Sequence, residues 1–324
     1  MKKSISVLFL LFVLCGSAQA KKYSLLLADH TQKMLLIRSA NGNIVWKHPS
    51  PSLFEAWVLE DGSIVYSTGK TVEKIFPDLK EGKGGTPVWS YRYGTDASSA
   101  PLPKGTIYTC TPVRDGNFLV TESGTFRLVE INSMGKIAHT ISLPRPREES
   151  SNSLRLTRHT PRDTFLVPYF GEGHVIELDI SGKQVGNVNI GQHCKTQENS
   201  AYEAIPLEGD RLLVSCGPQN RVIILNADRE VEWKLTDEDL PSDVNLYWIT
   251  KVIPLKNGNI IICNYCKGKA KIKAFEITPS KEIVWQLQDA WIKGLTTLQL
   301  LTDEYKPSHD ELRQPVTQVG LVDP

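Results

Sequence analysis

The chain has 324 residues, 40% hydrophobic and 23% charged, a globular composition that excludes a disordered or collagen-like chain. Its 37 basic and 36 acidic residues nearly cancel, and without Lys2 and Lys3 the balance is 35 against 36. No global positive field is present to hold nucleic acid or an anionic membrane.

The first 20 residues combine a positive start at Lys2 and Lys3, an apolar run from Ile5 to Leu14, and the small-x-small pattern Ala18-Gln19-Ala20. This is the pattern of a bacterial secretory signal peptide over 1–20, cleaved after Ala20. Lipid attachment at Cys15 is disfavoured because Leu14 is bulky where a small residue is expected. The apolar run is short for a membrane span, and none follows it, so the expected address is periplasmic or extracellular. Export permits disulfides. The mature cysteines are Cys110, Cys194, Cys216, Cys263 and Cys266, an odd number that leaves at least one free or paired between chains.

Three strands come next, Tyr23–Ala28, Met34–Arg38 and Ile44–Lys47, with an Asn41-Gly42 turn between the last two. From there a phrase recurs: apolar strand, Asp-Gly or Asn-Gly turn, apolar strand. The turns are Asp61-Gly62, Asp115-Gly116 and Asn257-Gly258, with worn copies at Gly209-Asp210 and Asp163. Such dipeptides accept positive φ cheaply and mark hairpins. Their spacing of about 46–54 residues falls in the range of propeller blades. A second phrase follows each copy, a turn and a further strand often carrying Trp, as at Trp46, Trp89, Trp233 and Trp285. These four are read as packing between blades.

Five complete four-stranded units begin near Leu53, Gly105, Ser153, Ser200 and Leu246. The strand Leu295–Leu301 stands alone at the other end. Pairing it with the three N-terminal strands closes a sixth blade and removes an open sheet edge. The expected fold is therefore an all-β, six-bladed β-propeller over 21–303, closed by its N- and C-terminal strands, with a C-terminal tail at 304–324. A seventh blade hidden in Phe76–Pro103 is the alternative. The tail either packs across a propeller face or hangs loose, and its Pro and charge favour loose order over a further domain.

The phrases Asn257-Gly258-Asn259-Ile260-Ile261-Ile262 and Gly42-Asn43-Ile44-Val45-Trp46 resemble the repeats of secreted bacterial PQQ-like and arylsulfotransferase-like β-propellers. The resemblance covers most of the mature chain and implies the repeat fold rather than a site. Quinone-dependent dehydrogenases of that kind have eight blades and a metal-binding acidic and Asn set. This chain is too short for eight blades, and the metal-binding set is not found, so no cofactor is expected.

Propellers host binding modules and enzymes alike, so function must be argued from a site. The position seven before each turn glycine, or before the residue in its slot, reads Glu55, Thr109, Thr157, Glu203 and Lys251, with Thr297 on the closing strand. Strand alternation puts these on one face around the channel. Second-strand ends give another ring: Asp29, Thr68, Glu122, Tyr169, Cys216 and Asn264. Arg158 and His159 follow Thr157. The candidate ligand-binding set at the channel face is Glu55, Glu203, Lys251, Asp29, Glu122, Thr109, Tyr169, Arg158 and His159, and a solvated lining is the competing reading. Trp248 is read as core packing, with a stacking platform for a sugar as the alternative.

The favoured function is binding of a small polar ligand, saccharide or protein partner at that face. The alternative is a carbohydrate-active hydrolase or lyase, since Glu55 and Glu203 lie three blades apart across the channel and two carboxyls can cleave glycosides. No metal site is read, because Cys263-x-x-Cys266 lacks two further ligands at metal spacing. That pair sits at a strand end and not at the helix N-terminus of a redox motif. A structural bridge is the favoured reading, with Cys216 on the neighbouring blade one option for its partner, and two reduced cysteines the alternative. Cys194 with Cys216 is a second possible pairing, and Cys110 reads as a buried thiol.

Overall fold

The computed structural model describes residues 22–98, 101–147, 149, 153–196, 199–265 and 270–312. The leader with Cys15, and Cys266, lie outside these residues. In chain order the strands are β1(Ser24–Asp29), β2(Met34–Arg38) and β3(Ile44–Pro49), then β4(Ala56–Val58), β5(Ile64–Ser67), β6(Thr71–Pro77) and β7(Gly85–Arg92) of blade I. Blade II holds β8(Ile107–Pro112), β9(Phe118–Glu122), β10(Arg127–Ile131) and β11(Ile137–Ser142). Blade III holds β12(Arg158–His159), β13(Phe165–Tyr169), β14(His174–Leu178) and β15(Gln184–Asn189). Blade IV holds β16(Glu203–Pro206), β17(Leu212–Ser215), β18(Val222–Leu225) and β19(Val231–Leu235). Blade V holds β20(Ile249–Pro254), β21(Ile260–Asn264), β22(Ile272–Ile277) and β23(Ile283–Gln288). The last strand, β24(Leu295–Leu301), pairs antiparallel with β1 and completes blade VI in the order β24-β1-β2-β3.

These are six four-stranded antiparallel sheets, a six-bladed β-propeller closed by its two ends. The Phe76–Pro103 stretch holds the long β6–β7 hairpin and a connection, not a seventh blade. Among the described residues no helix is long and apolar enough to cross a membrane.

The turn chemistry does what the dipeptides require. Gly42, Gly62 and Gly258 have φ of 93°, 83° and 86°, and Asp115 and Gly116 both sit at positive φ. Inner strands are buried along their length, as in β20 and β24, while outer strands such as β3 and β23 are mostly exposed or half-buried. The apolar clusters bridge adjacent blades, for example Leu27 and Leu300 of blade VI with Ile253 and Ile261 of blade V. A repeat unit therefore has no complete core of its own, which is why the ring must close.

The outer-strand tryptophans pack between blades. The indole N–H groups of Trp46, Trp89 and Trp233 donate to Gly84, Ser133 and Pro279 carbonyls at 2.7, 2.9 and 2.9 Å. Each acceptor lies in the outer hairpin of the following blade. Gly135 (φ 77°) leaves room for this packing, since a Cβ there would lie 2.8 Å from the Trp89 ring. Trp285 meets Tyr23 of blade VI edge-on at 5.2 Å.

The first part of the tail is tied down. Leu312 N–H donates to Pro254 O at 2.8 Å, Ser308 N–H to Leu300 O at 2.9 Å, and Glu311 accepts from Leu300 N–H at 2.6 Å. Residues 307–312 thus strap blade V to blade VI beside the closure, the packed alternative rather than loose order. Residues 313–324 lie outside the described residues.

Candidate functional site

Innermost strands are exposed sheet edges facing a channel, and their side chains must satisfy the neighbouring edge. The polar ring does this. Glu55 Oε2 accepts from Cys110 N–H at 2.8 Å, Thr109 Oγ1 from Thr157 N–H at 2.9 Å, and Glu203 Oε2 from Val252 N–H at 3.2 Å. Thr297 Oγ1 donates to Phe54 O at 3.1 Å. Each side chain bonds the backbone of the next blade, so the shared face read from the repeat is a ring of inter-blade stitches.

Arg158 joins that ring at its centre. Its Nη2 donates to Glu55 Oε1 at 2.7 Å and also to Glu203 Oε1, its Nε to Glu203 Oε1 at 2.9 Å, and its Nη1 to Thr111 Oγ1 at 2.6 Å. Lys251 Nζ lies 3.4 Å from both Glu55 Oε1 and Glu203 Oε1 and 4.4 Å from the Trp57 ring centroid. Two carboxylates and two cations balance, and all four side chains are buried. Burial pushes the Glu55 carboxyl up, but Arg158, Lys251 and the bonds from Cys110 and Thr111 outweigh it and hold it below the usual carboxylate range.

The structure therefore brings together Glu55, Thr109, Arg158, Glu203 and Lys251, but not the other four candidates. Asp29 accepts from the N–H groups of Thr31, Gln32, Lys293 and Gly294 at 2.7–3.0 Å. Glu122 accepts from Gly94 N–H at 2.7 Å and Tyr91 Oη at 2.8 Å and pairs with Arg127. Tyr169 Oη donates to Pro144 O. Each holds the connector arriving from the preceding blade. Asn264 does the same, accepting from Tyr247 N–H at 3.0 Å and donating to Asn245 O at 2.9 Å. His159 lies further along β12 and pairs with Asp163 at 2.7 Å. Cys110, Cys194, Cys216 and Cys263 are free thiols, which removes the expected bridge from Cys216 to the Cys263 motif.

Beside the charge cluster, at the channel end here called the mouth, is an aromatic cluster that sequence reasoning largely missed, with Tyr108, Phe170 and Tyr202 buried and Phe54 partly buried. Phe54, Tyr108 and Tyr202 each stand one residue before the polar ring, and Phe170, Tyr265 and His30 come from loops after second strands or after β1. His30 meets Phe54 at 4.9 Å and Tyr265 at 6.1 Å between ring centroids. Phe54 meets Tyr108 at 4.7 Å and Phe170 meets Tyr202 at 6.0 Å. The Arg155 guanidinium lies over Phe170 at 4.0 Å and Tyr108 at 4.4 Å, favourable cation–π geometry. Gly69 makes space for Phe54, whose ring would lie 2.7 Å from a Cβ there.

Trp248 stands at the rim of this mouth. It is 37% exposed, and its ring is 6.4 Å from that of Tyr265. Its backbone has φ 48°, a region that costs a bulky L-residue about 1–2 kcal/mol. Asn220 Oδ1 accepts its N–H at 2.9 Å, and its carbonyl accepts from Tyr265 N–H at 3.1 Å. The protein thus holds a strained backbone that presents a large aromatic side chain to solvent, so Trp248 is not core packing.

No family model and no curated protein matches the chain. Among solved structures, a protein of unknown function from Bacteroides caccae is 22% identical, with a TM-score of 0.72 over 86% of this chain and 98% of that one. A catalytically inactive virginiamycin B lyase from Staphylococcus aureus, solved with quinupristin, is 14% identical (TM-score 0.55, 86% of this chain and 87% of that one). A putative 6-phosphogluconolactonase from Bacteroides fragilis is 11% identical (TM-score 0.51, 89% and 87%). At these identities the likeness is one of fold, and these neighbours are β-propellers.

Proposed function

We propose that this chain is an exported β-propeller binding protein that takes a small polar ligand with a flat ring face, a saccharide first, at the aromatic mouth of its channel. The observation that carries the reading is Trp248, exposed at the rim on a strained backbone. Strain of this kind persists where the surroundings enforce it, and it gathers at ligand clamps. A sugar ring stacks its apolar C–H face on an indole, and the Tyr265 and His30 rings beside it extend the aromatic surface. Export rests on the leader pattern in residues 1–20, and the repeat phrases support kinship with the PQQ-like repeat propellers in architecture.

Binding is favoured over hydrolysis because of the state of Glu55. A general acid needs a carboxyl that keeps its proton near neutral pH. Glu55 is held ionised beneath the mouth by two cations, which suits a structural stitch.

The test is fluorescence and calorimetric titration of the mature protein with neutral and uronic oligosaccharides. Binding should perturb tryptophan emission, and Trp248→Gly should weaken it at least tenfold while Trp248→Phe retains most of it. Ligands that bind equally well to the Gly variant would sink the proposal.

A further inference from the structure

Four blades secure the incoming connector with a polar residue at or just after the end of the strand next to the innermost one: Asp29, Glu122, Tyr169 and Asn264. In blade IV the equivalent position is Cys216, and its partner on the connector from blade III is Cys194. The two thiols are hydrogen-bonded to each other. Cys194 ends the short turn Gly191–His193, its N–H donating to Gly191 O at 3.0 Å. Cys216 N–H donates to Arg221 O at 2.9 Å. Cys216 is buried, whereas Cys194 is half-buried and opens on a cavity of about 540 Å³ lined also by His193, Arg221 and Trp233. The Arg221 guanidinium donates to His193 O through Nη1, and its buried Nε has no hydrogen-bond partner among the described residues.

We infer that Cys194 and Cys216 are an oxidisable dithiol, a redox-made version of the clamp that the other blades make with polar side chains. The Cys194 thiolate attacks one sulfur of an incoming disulfide, delivered by a small-molecule or protein disulfide, and expels the other sulfur as a thiolate. Cys216 then loses its proton to that thiolate or to water and attacks Cys194 Sγ, expelling the second thiolate. Two cysteine thiols are oxidised by two electrons, and the donor disulfide is reduced to two thiols.

The two sulfurs divide these roles by environment. The hydrogen bond from Cys216, aided by Arg221, holds Cys194 below the usual thiol range, and the same bond together with burial pushes Cys216 up. The more accessible sulfur is thus the better nucleophile, as an attacking cysteine requires. The clamp also reaches the mouth. Gly217, next to Cys216, packs against Tyr202 and Phe170, so oxidation would fix the aromatic floor of the proposed ligand site. The dithiol itself stands on the clamp geometry and does not depend on what the mouth binds.

The experiment starts from fully reduced mature protein exposed to oxidised glutathione, followed by alkylation and peptide mapping. A Cys194–Cys216 linkage is expected, with Cys110 and Cys263 still alkylated only after unfolding. Cys216→Ser should accumulate a glutathione adduct on Cys194, Cys194→Ser should form no adduct on Cys216, and Arg221→Gln should slow adduct formation several-fold. Oxidation should raise the Tm by about 5 °C, since the crosslink closes a loop of some twenty residues. Failure of wild-type protein to lose these two thiols under oxidised glutathione would overturn the inference. So would equal adduct formation on either cysteine in the two single variants. Ligand titrations on the reduced protein read the mouth independently.

Discussion

The charge cluster and the aromatic mouth adjoin at Phe54–Glu55 and Tyr202–Glu203, yet they solve different problems. At Glu55, Glu203, Lys251 and Arg158, every charge has an opposite partner and the carboxylates also bond a neighbouring strand. Three residues before Lys251, Trp248 is exposed and its backbone is strained. Polar chemistry at the centre of a propeller is thus not by itself the mark of a ligand site. Where the groups satisfy one another the residues hold blades together, and unrelieved cost at an accessible rim is the better pointer to function.

The largest effect should come from breaking the cluster. Arg158→Met leaves Glu55 and Glu203 buried with Lys251 as their one remaining cation, and removing one partner of a buried network costs about 3–5 kcal/mol. A urea titration followed by intrinsic fluorescence reads this as a large fall in midpoint. If the midpoint hardly moves, the cluster is not the stitch described.

Acid sharpens the same contrast. The folded-state pKa of Glu55 is depressed, so its contribution is present above its unfolded value of about 4.3 and is lost as pH falls through the folded value. Stability should decline on acidification below about pH 4.3, by at most about 1.4 kcal/mol per pH unit for this proton. Glu55→Gln should flatten that slope. Identical pH profiles for the two proteins would show that Glu55 is not held ionised by its neighbours.

The sequence carried the blades because the turns demand it. Asp61-Gly62, Asp115-Gly116 and Asn257-Gly258 are hairpins that few other residue pairs would make, and the surplus strands at either end had one economical pairing. The shared face of Glu55, Thr109, Glu203 and Lys251 was legible for the same reason, since alternation fixes facing once the turn fixes register. Alternation also explains what stayed hidden. Phe54 and Tyr202 precede the first residue of β4 and β16, and the β8 ladder shifts register between Ile107 and Cys110. At the ragged start of a strand, alternation does not tell an aromatic that packs across blades from ordinary core. The partners of Asp29 and Glu122 stayed hidden for a different reason: which backbone N–H groups surround a carboxylate is decided by connectors elsewhere in the sequence, Gly294 in one case and Gly94 in the other.

Trp248 supports a comparison that separates strain from contact. Trp248→Gly and Trp248→Ala both remove the ring, so they lose the same packing and the same proposed ligand surface. At an ordinary extended position Ala is the more stable by about 0.5–1 kcal/mol. At φ 48° the order should reverse, with Gly more stable by about 1 kcal/mol. Thermal denaturation of the two variants decides it. If Ala is the more stable, the rim backbone relaxes when the ring is absent, and the strain belongs to the indole's own packing.

The smallest expected effect tests whether the ring is as fully satisfied as its charges suggest. Thr157 is buried, and its Oγ1 has no hydrogen-bond partner among the described residues, whereas Thr109 Oγ1 accepts from the Thr157 N–H. The two threonines sit at equivalent positions, so the ring is stitched at one and left open at the other. An unpartnered buried hydroxyl carries its full desolvation cost. Thr157→Val keeps the shape and deletes that cost, so stability should stay level or rise by up to about 1 kcal/mol. A loss of more than about 1 kcal/mol in the urea midpoint would mean that the hydroxyl has a partner in solution. A channel water would be the natural candidate, and the polar ring would then extend into solvent at blade III.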